Sequence, residues 1–305
     1  MNWLTEKMIK NCIFTCFLLC FLTQAVAAPS FKCLQNQHNY GIPATSTVLD
    51  EIEKTLPTEP PLSKSGKSLV TINKFGFDVI DDASLQESWL VNDIVQFSKT
   101  AKSPMLEIGG GYGRLSKHML NAGATVIYND LEPSHLIYGR KNISPSQREH
   151  LYLNAFVFPR GMILKPNSLS GVVMYRVAHF MQPDEFEEGI AKIKRWLVPG
   201  GKIFIAVLPP QHGEFRDKVL STYEKRWQEG NLWPGYSFSS LEILPEQAYA
   251  LPRHLHLMDQ RPLESVLKKY GFTVEKTGFI DMKKFGNSEK RTGQELFGIV
   301  AKKES

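Results

Sequence analysis

Cysteine is scarce in this sequence, since the 305 residues contain four of them. Three of the four lie inside one apolar run near the N-terminus, at Cys12, Cys16 and Cys20, where they act as small apolar side chains. Removal of that run would leave Cys33 alone and would exclude a disulfide within the mature chain. The fold therefore does not depend on disulfide crosslinks, although disulfides are common in exported proteins.

Clusters of basic residues and internal repeats are also absent from the sequence. The formal net charge is +5, from 36 Lys and Arg against 31 Asp and Glu, but the basic residues are scattered along the chain. A scattered excess does not indicate a nucleic-acid-binding surface, which requires a basic patch or stripe. The composition, with 42% hydrophobic and 22% charged residues, is that of an ordinary globular protein.

The first 27 residues have the three parts of an export signal. Lys7 and Lys10 form a positive flank, an apolar run follows from residue 12 to residue 22, and the run is too short to span a membrane comfortably. The small-x-small pattern of a cleavage site follows at residues 25–27. We expect residues 1–27 to be a signal peptide that directs the protein out of the cytosol, to the periplasm or the exterior. In the alternative, the segment is not cleaved and residues 8–28 anchor the protein in a membrane.

Three regions follow the predicted signal. Residues 28–83, rich in Pro, Ser, Thr and Lys over "TLPTEPPLSKSGKS", predict an N-terminal arm or linker. Residues 84–305 alternate seven short apolar strands with amphipathic helices, which predicts a doubly wound, mostly parallel α/β sheet in one domain. Residues 209–260 interrupt that alternation with aromatic and histidine-rich segments, "NLWPGYSF" and "LPRHLHLMDQ". Long interruptions of this kind usually form a lid or substrate loop, or cover one face of the sheet.

Glycines of period two follow the first strand of the alternating region, in "MLEIGGGYGRL". Gly109, Gly111 and Gly113 lie between a strand and a helix, at the sheet edge where α/β proteins bind ligands. They permit a tight turn and let the backbone approach a ligand closely. An anionic group of the ligand can then accept hydrogen bonds from the backbone N–H groups at the helix N-terminus. Asp130 ends the next strand, where a carboxylate can accept hydrogen bonds from both hydroxyls of a ribose. The glycine loop and Asp130 together predict a ligand that contains a nucleoside.

The spacing does not fit the nicotinamide fingerprint G-x-G-x-x-G, because Arg114 stands where the third glycine belongs. The pattern E-x-G-x-G-x-G, with Glu107 first, resembles the first motif of the class I S-adenosylmethionine-dependent methyltransferases. "VIYNDLEPSHL" resembles the second motif of that family, and "LVPGGKIFIAV" resembles the turn before its fifth strand. The resemblance covers residues 84–208, and residues 261–301 in outline. "IGGGYGRL" is also similar to a subgroup of sugar O-methyltransferases, which the later sequence does not follow.

The resemblance implies a Rossmann-like fold, S-adenosylmethionine as cofactor and a set of cofactor-binding residues. The loop from Glu107 to Gly113 would hold the methionine end of the cofactor, with Glu107 near its amino group, and Asp130 would hold the ribose. Asn154 and Ala155 match the pair that contacts adenine, although Asn replaces the usual Asp. Tyr112 would line the methionine pocket or only cover the loop. The complete predicted set is Glu107, Gly109, Gly111, Tyr112, Gly113, Asp130, Leu131, Asn154, Ala155 and Tyr175.

Two groups of histidines are candidates for chemistry. His179, in "YRVAHFM", follows the fourth strand and would face the transferred methyl in this family, so it is the predicted catalytic base; the alternative is a packed core histidine. Tyr175 and Arg176 would border the same pocket. His254 and His256 alternate in the insertion and would share one face of an extended segment, as substrate-binding groups or surface residues. No further metal ligands are identifiable beside them, so no metal site is predicted.

We therefore expect a methyltransferase that acts on an oxygen or nitrogen atom of a small molecule or peptide. Because S-adenosylmethionine is scarce outside cells, the predicted export signal favours an alternative, an exported binding protein that keeps the nucleoside pocket without transferring a methyl group. A transferase that uses the decarboxylated cofactor is a third alternative, against which Glu107 argues because it matches the amino-acid end of the molecule.

Overall fold

The computed structural model describes residues 40–66, 68–78, 88–282 and 291–304. The predicted signal peptide and the first part of the predicted arm lie outside these ranges, so both stay predictions. Twelve strands follow in chain order: β1 (Ile42–Pro43), β2 (Leu69–Val70), β3 (Phe77–Asp78), β4 (Met105–Ile108), β5 (Val126–Asn129), β6 (Leu151–Asn154), β7 (Leu169–Tyr175), β8 (Leu197–Val207), β9 (Phe238–Ser239), β10 (His254–Leu255), β11 (Phe272–Ile280) and β12 (Leu296–Lys303). The α-helices are α1 (Val48–Thr55), α2 (Trp89–Ser98), α3 (Arg114–Asn121), α4 (Pro133–Lys141), α5 (Pro183–Trp196), α6 (Arg216–Gln228), α7 (Ser240–Ile243) and α8 (Gln260–Lys269).

Eight of the strands form one sheet in the order β1-β6-β5-β4-β7-β8-β12-β11. The five central strands from β6 to β8 are parallel, and β1, β12 and β11 pair antiparallel to their neighbours. The predicted mostly parallel α/β fold is confirmed. The prediction of seven strands missed β1, a two-residue edge strand that pairs Ile42 with Leu153. A strand of two residues is too short to produce an alternating pattern in the sequence.

The sheet buries a hydrophobic cluster on each face, as the alternation of side chains along a strand requires. Along β8, Phe204 belongs to one cluster and its neighbours Ile203 and Ile205 belong to the other. Helices α2, α3 and α4 pack on the first face, and α5 and α8 pack on the second. The result is a three-layer α/β/α domain, in which both faces of the central strands are buried.

Part of the segment predicted as an arm is tied to this domain by Arg140 of α4, whose side chain is buried. The guanidinium donates to Asp50 Oδ1 (2.6 Å) and Glu53 Oε2 (2.8 Å) of α1, and through Nε to the carbonyl of Ala44 (2.7 Å). These charge-assisted bonds satisfy a buried cation, which would be costly to leave unpaired. Residues 42–55 are therefore an integral part of the sheet edge and its helical cover.

The insertion, residues 209–260, is folded. It contains α6, α7 and a two-stranded sheet formed by β9 and β10, and the amide of Met258 donates to the carbonyl of Leu208 at the end of β8. The helices of the described ranges are all too short or too polar to cross a bilayer.

The loop between β4 and α3 is held in backbone conformations that favour glycine. Gly109 has φ 66° and Gly111 has φ 53°, both in the left-handed region. A Cβ on Gly109 would lie 2.4 Å from Cγ2 of Val177, whereas a Cβ on Gly111 would meet nothing within 4 Å. The two glycines therefore share a conformational requirement and differ in steric surroundings.

This difference predicts unequal effects of two matched substitutions. We expect Gly111→Ala to lower the free energy of unfolding by about 1 kcal/mol, since it adds left-handed strain alone. Gly109→Ala should lower it by roughly 2–4 kcal/mol, because the clash with Val177 adds to that strain. Urea unfolding of the two variants measures both values, and equal values would contradict the steric account.

Candidate active site

A large cavity opens at the carboxyl ends of β4, β5 and β7, with a volume of about 1240 Å³. This exceeds the roughly 300–1,000 Å³ typical of a pocket for one drug-sized ligand. One side, called here the cofactor side, includes Glu107, Gly109–Gly111 and Asp130–Leu131. The other, called the acceptor side, is formed by residues 175–181 after β7, by parts of the insertion and by the β2–β3 hairpin. The cavity has room for two molecules side by side.

Asp130 is the most connected group on the cofactor side. Its Oδ2 accepts from the amide of Gly111 (2.8 Å), and its Oδ1 accepts from the amide of Glu132 (2.9 Å) and from Nδ1 of His135 (3.0 Å). The carboxylate is nearly buried, yet it lines the cavity. Two carboxylate oxygens offer about four acceptor positions, so capacity remains for a ligand hydroxyl.

Glu107 also lines the cavity, at the end of β4, but its surroundings are different. It is buried, and the hydroxyl of Ser116 on α3 donates to its Oε2. Burial raises the pKa of Glu107 to about 8, against the lowering effect of the Ser116 hydrogen bond. A carboxyl of this kind is protonated at neutral pH and would ionise when a cation comes close.

The amide groups of the glycine loop are used within the protein more than the sequence suggested. The amide of Gly111 donates to Asp130, that of Gly113 to the carbonyl of Gly110 (2.9 Å), and that of Gly110 to the carbonyl of Asn129 (3.0 Å). The loop lines the cavity at Gly109–Gly111, and at Gly111 the position of a Cβ is open space, which leaves the backbone accessible to a ligand. It therefore offers backbone surface to a ligand while its amides stabilise the loop and Asp130.

Tyr112 and Gly113 lie behind this loop and are not among the residues that line the cavity. Tyr112 is buried, its hydroxyl donates to the carbonyl of Val70 (2.8 Å), and its ring packs edge-on against His135 and Tyr138. Its observed contact is with the chain N-terminal to the domain, which matches the covering role that the sequence left open.

Asn154 and Ala155 are likewise placed behind the cavity wall, although the sequence assigned them to adenine. Asn154 is fully buried, and its Oδ1 accepts from Nδ2 of Asn129 and from the amide of Phe156, both at 3.0 Å. The side chain therefore shapes the turn after β6, and Phe156 and Val157 are the residues of that turn at the cavity. Leu131, half exposed, lines the cofactor side, and Tyr175, also predicted to bind the cofactor, lines the acceptor side.

On the acceptor side, histidine and arginine side chains with buried nitrogen atoms surround His179, which lines the cavity. Burial, with the nearby Arg176 and His256, holds the pKa of His179 well below its usual range, so its imidazole is neutral at physiological pH. Its Nδ1 has no hydrogen-bond partner within the described residues. Burial and Arg176 also lower the pKa of His212, on the same wall, to about 4.

The two histidines of residues 251–260, His254 and His256, do not share a face. Strand β10 ends at Leu255, so His254 is exposed whereas His256 turns into the core. There His256 contacts the rings of Trp233 and Tyr236, and its Nδ1 lies 3.1 Å from the carbonyl of Met181. Burial lowers the pKa of His256 to about 4. In the described part of the chain, no three His, Cys, Asp or Glu side chains are placed to hold a metal ion.

Sequence reasoning missed two contributors to the site. The β2–β3 hairpin, residues 69–78, forms part of the cavity wall although its segment was predicted to be a linker. Its paired strands are two residues long, too short for a strand pattern. His135 was also missed, since its position two residues inside α4 reads as an ordinary helical residue. Its spacing of five residues from Asp130 was the one available signal.

Comparison with known proteins supports the geometric description. A family model described as a methyltransferase domain matches residues 105–201, about a third of the chain. This part of the chain is a methyltransferase domain. A search of curated protein sequences gave no match.

Two solved structures illustrate how far the likeness of this methyltransferase extends. The 1,6-didemethyltoxoflavin-N1-methyltransferase of Burkholderia thailandensis, solved with 1,6-didemethyltoxoflavin and S-adenosylhomocysteine, is 16% identical with a TM-score of 0.50, over 73% of this chain and 82% of that chain. The PH0226 protein of Pyrococcus horikoshii is 13% identical with a TM-score of 0.50, over 83% of this chain and 99% of that chain. At these identities the likeness shows the fold.

The cofactor side of the methyltransferase cavity fits S-adenosylmethionine. Asp130 keeps acceptor capacity for a ribose hydroxyl, Gly111 leaves space where a Cβ would stand, and Glu107 places a carboxyl in the wall beside the loop. A buried carboxyl with a raised pKa gains a partner when an ammonium group is brought to it. Glu107 and Asp130 are thus suited to the two polar ends of such a molecule.

The raised pKa of Glu107 predicts a pH-dependent effect of Glu107→Gln on the cofactor-free protein. The folded state holds this proton between pH 4.5 and about 8, so raising the pH through that window withdraws stability from the wild type. Glutamine cannot ionise, and it keeps an oxygen that accepts from Ser116. The free energy of unfolding of the variant relative to the wild type should therefore rise from pH 5 to pH 8, by up to about 1.4 kcal/mol per pH unit.

Urea unfolding at each pH measures this difference, and the buried histidines cancel because both proteins contain them. Glu149→Gln, at an exposed position, is the matched control and should show a difference independent of pH. A flat difference for Glu107→Gln as well would contradict the raised pKa.

Proposed function

We propose that this methyltransferase transfers a methyl group to an oxygen or nitrogen atom of a small molecule or peptide. The observation that carries the proposal is that one continuous cavity joins the cofactor side, at Asp130 and Glu107, to an acceptor side that contains a neutral, buried imidazole, His179. A volume of about 1240 Å³ supports a second molecule beside the cofactor. The Burkholderia thailandensis enzyme, which has the same fold, methylates a nitrogen of a small molecule.

When bound, S-adenosylmethionine supplies a methyl carbon activated by a sulfonium group. The protein then has to orient the acceptor, exclude water and receive the proton of the acceptor group. Glu107 and Asp130 would hold the cofactor so that a lone pair of the acceptor oxygen or nitrogen takes its methyl carbon, and the electron pair of the carbon–sulfur bond stays on the departing neutral thioether. His179 takes the displaced proton at Nδ1, the ring nitrogen left without a hydrogen-bond partner in the described structure.

The acceptor side excludes water by its aromatic walls. Phe75 of the hairpin packs edge-on against Phe180, with ring centroids 5.9 Å apart, and Phe77 packs likewise against Tyr249 of the insertion. All four residues line the cavity. An acceptor with a flat apolar surface would be held between these walls, with its reactive polar atom directed to His179.

Asp130→Asn tests the cofactor side with little change of shape. We expect the affinity for S-adenosylmethionine and S-adenosylhomocysteine to fall at least about tenfold, since a hydrogen bond to a charged group contributes about 1.5–3 kcal/mol. Isothermal titration calorimetry measures the affinity, and the near-ultraviolet circular dichroism spectrum shows whether the variant is folded. An unchanged affinity would remove Asp130 from the site. Binding by the wild type without transfer of a labelled methyl group to any acceptor in a cell extract would favour the binding-protein alternative.

His179→Asn tests the acceptor side. We expect kcat to fall by about 10²–10⁴-fold, the range for loss of a general base, with little change in cofactor affinity. Because the pKa of His179 lies well below its usual range, its titration should produce no step in the wild-type kcat between pH 6 and 8. Once an acceptor is found, steady-state kinetics measure both. His254→Asn is the control, since His254 is exposed and outside the cavity wall. A kcat of the His179→Asn variant within twofold of the wild-type value would show that His179 packs in the core without acting as a base.

A further inference from the structure

His135 lies between the carboxylate that would hold the cofactor and the hairpin that walls the acceptor side. Its Nδ1 is 3.0 Å from Asp130 Oδ1, and its Nε2 accepts from the amide of Ile72, in the turn of the hairpin, at 2.9 Å. The imidazole is 1% exposed and the Asp130 side chain 7% exposed. Both bonds are therefore shielded from water, which strengthens them and makes the loss of either one costly.

The two bonds determine which ring nitrogen carries the proton. The Ile72 amide can only donate, so Nε2 of His135 must present its lone pair. Nδ1 then carries the hydrogen and donates it to Asp130, whose carboxylate can only accept. These two hydrogen bonds, called here the relay, therefore run in one direction, from the Ile72 amide through the His135 ring to the Asp130 carboxylate. A change at the carboxylate reaches the hairpin through one rigid ring.

The hairpin is also bound to the acceptor side. The amide of Gly76 donates to the carbonyl of Ala250 in the insertion at 2.8 Å, and Phe75 and Phe77 make the aromatic contacts with Phe180 and Tyr249 described above. At its base, the carbonyl of Val70 accepts from Tyr112, whose ring packs against His135 at 4.8 Å. The hairpin is therefore placed by the cofactor side and in turn places the acceptor walls.

The number of hydrogen bonds that Asp130 already accepts explains why cofactor binding would change the hydrogen bonds of His135. Its two oxygens already accept three hydrogen bonds from the protein, two of them at Oδ1. A ribose hydroxyl that donates to this carboxylate fills the remaining acceptor capacity and redistributes the other three bonds. The open acceptor position is on Oδ2, beside the bond from Gly111, so the bond from His135 at Oδ1 responds through the charge that the two carboxylate oxygens share.

We propose that His135 is a positioning residue that couples occupation of Asp130 by the cofactor to the placement of the 69–78 hairpin, and hence to the shape of the acceptor site. The inference rests on the proposed function, since it requires a nucleoside cofactor at Asp130. It implies a preferred order, in which the acceptor site is completed after the cofactor is bound. His135 touches neither reacting atom and acts through Asp130 and Ile72.

Two substitutions each remove one bond of the relay. His135→Asn places an amide near the position of Nδ1, so it can still donate to Asp130 but does not reach the Ile72 amide. His135→Gln extends to the position of Nε2, so its oxygen can accept from Ile72 while the donor to Asp130 is lost. His150→Asn is the matched control, because His150 is exposed and distant in sequence from both partners.

Hydrogen exchange of the full chain, with and without saturating S-adenosylhomocysteine, tests the coupling at the Ile72 amide and in residues 68–78. In the wild type and in His150→Asn we expect the product to slow exchange of Ile72 at least about fivefold, because it stabilises the closed relay. In His135→Asn the affinity measured by calorimetry should stay within about threefold of the wild type, while the slowing is lost. His135→Gln should lose the slowing as well.

A merely structural role for His135 would give a different result: faster exchange in both variants without product, with the slowing on binding intact. That result, or an unchanged Ile72 amide in the wild type when product binds, overturns the coupling and leaves the proposed function standing. Failure of the wild type to bind S-adenosylhomocysteine in calorimetry overturns the proposed function, and the coupling with it.

Discussion

The carboxylate of Asp130 is the junction on which the rest of the site depends. It follows β5 directly, accepts from the glycine loop after β4 and from Glu132 in the turn into α4, and contacts the hairpin indirectly through His135. Donors from two segments, the glycine loop and residues 132–135, thus meet at two oxygen atoms. Because a nearly buried carboxylate must be satisfied by donors, each of these segments is held in place by the need to supply one. The shape of the cofactor side follows from that requirement.

The two acids of the cofactor side show how local donors divide their roles. Glu107 receives the hydroxyl of Ser116, and burial raises its pKa to about 8. Asp130 receives three N–H donors. An acid held protonated in the empty site can ionise as a cationic ligand group arrives, whereas an acid rich in donors is placed before the ligand comes. Glu107 thus changes its protonation state when the ligand binds, whereas Asp130 is held in position beforehand, although both line the same cavity.

Much of the fold was predictable from the sequence, and the reason is periodicity. The five parallel strands and the helices between them are long enough to carry apolar patterns, and the glycines at 109, 111 and 113 required a tight turn that the left-handed φ values confirm. Asp130 could be predicted because strand ends meet at one sheet edge. Strands β1, β2 and β3 could not, because each has two residues and its pairing depends on the remainder of the domain.

Within the site, the sequence left the direction of individual side chains undetermined. Asn154 and Tyr112 occupy the sequence positions that a cofactor-binding pattern requires, but their side chains are committed elsewhere, Asn154 to the turn after β6 and Tyr112 to Val70. A linear pattern specifies where the backbone passes and leaves open which way a side chain turns. The direction is decided by whichever partner satisfies a buried polar atom best, and such partners come from distant parts of the chain.

This division also explains why acceptor specificity is hard to read from the sequence. The cofactor side is built from strand ends of the regular sheet, whereas the acceptor walls come from the 69–78 hairpin and the insertion. Ile72 of the hairpin is 63 residues from His135, whose ring it contacts. Segments with short strands and irregular backbone can change without altering the sheet. His135 joins the two, so a change in the hairpin that breaks its bond from Ile72 would alter the acceptor side and the support of Asp130 together. Variation of the acceptor walls is therefore constrained where the hairpin meets the cofactor side, at the bonds of Ile72 with His135 and of Val70 with Tyr112.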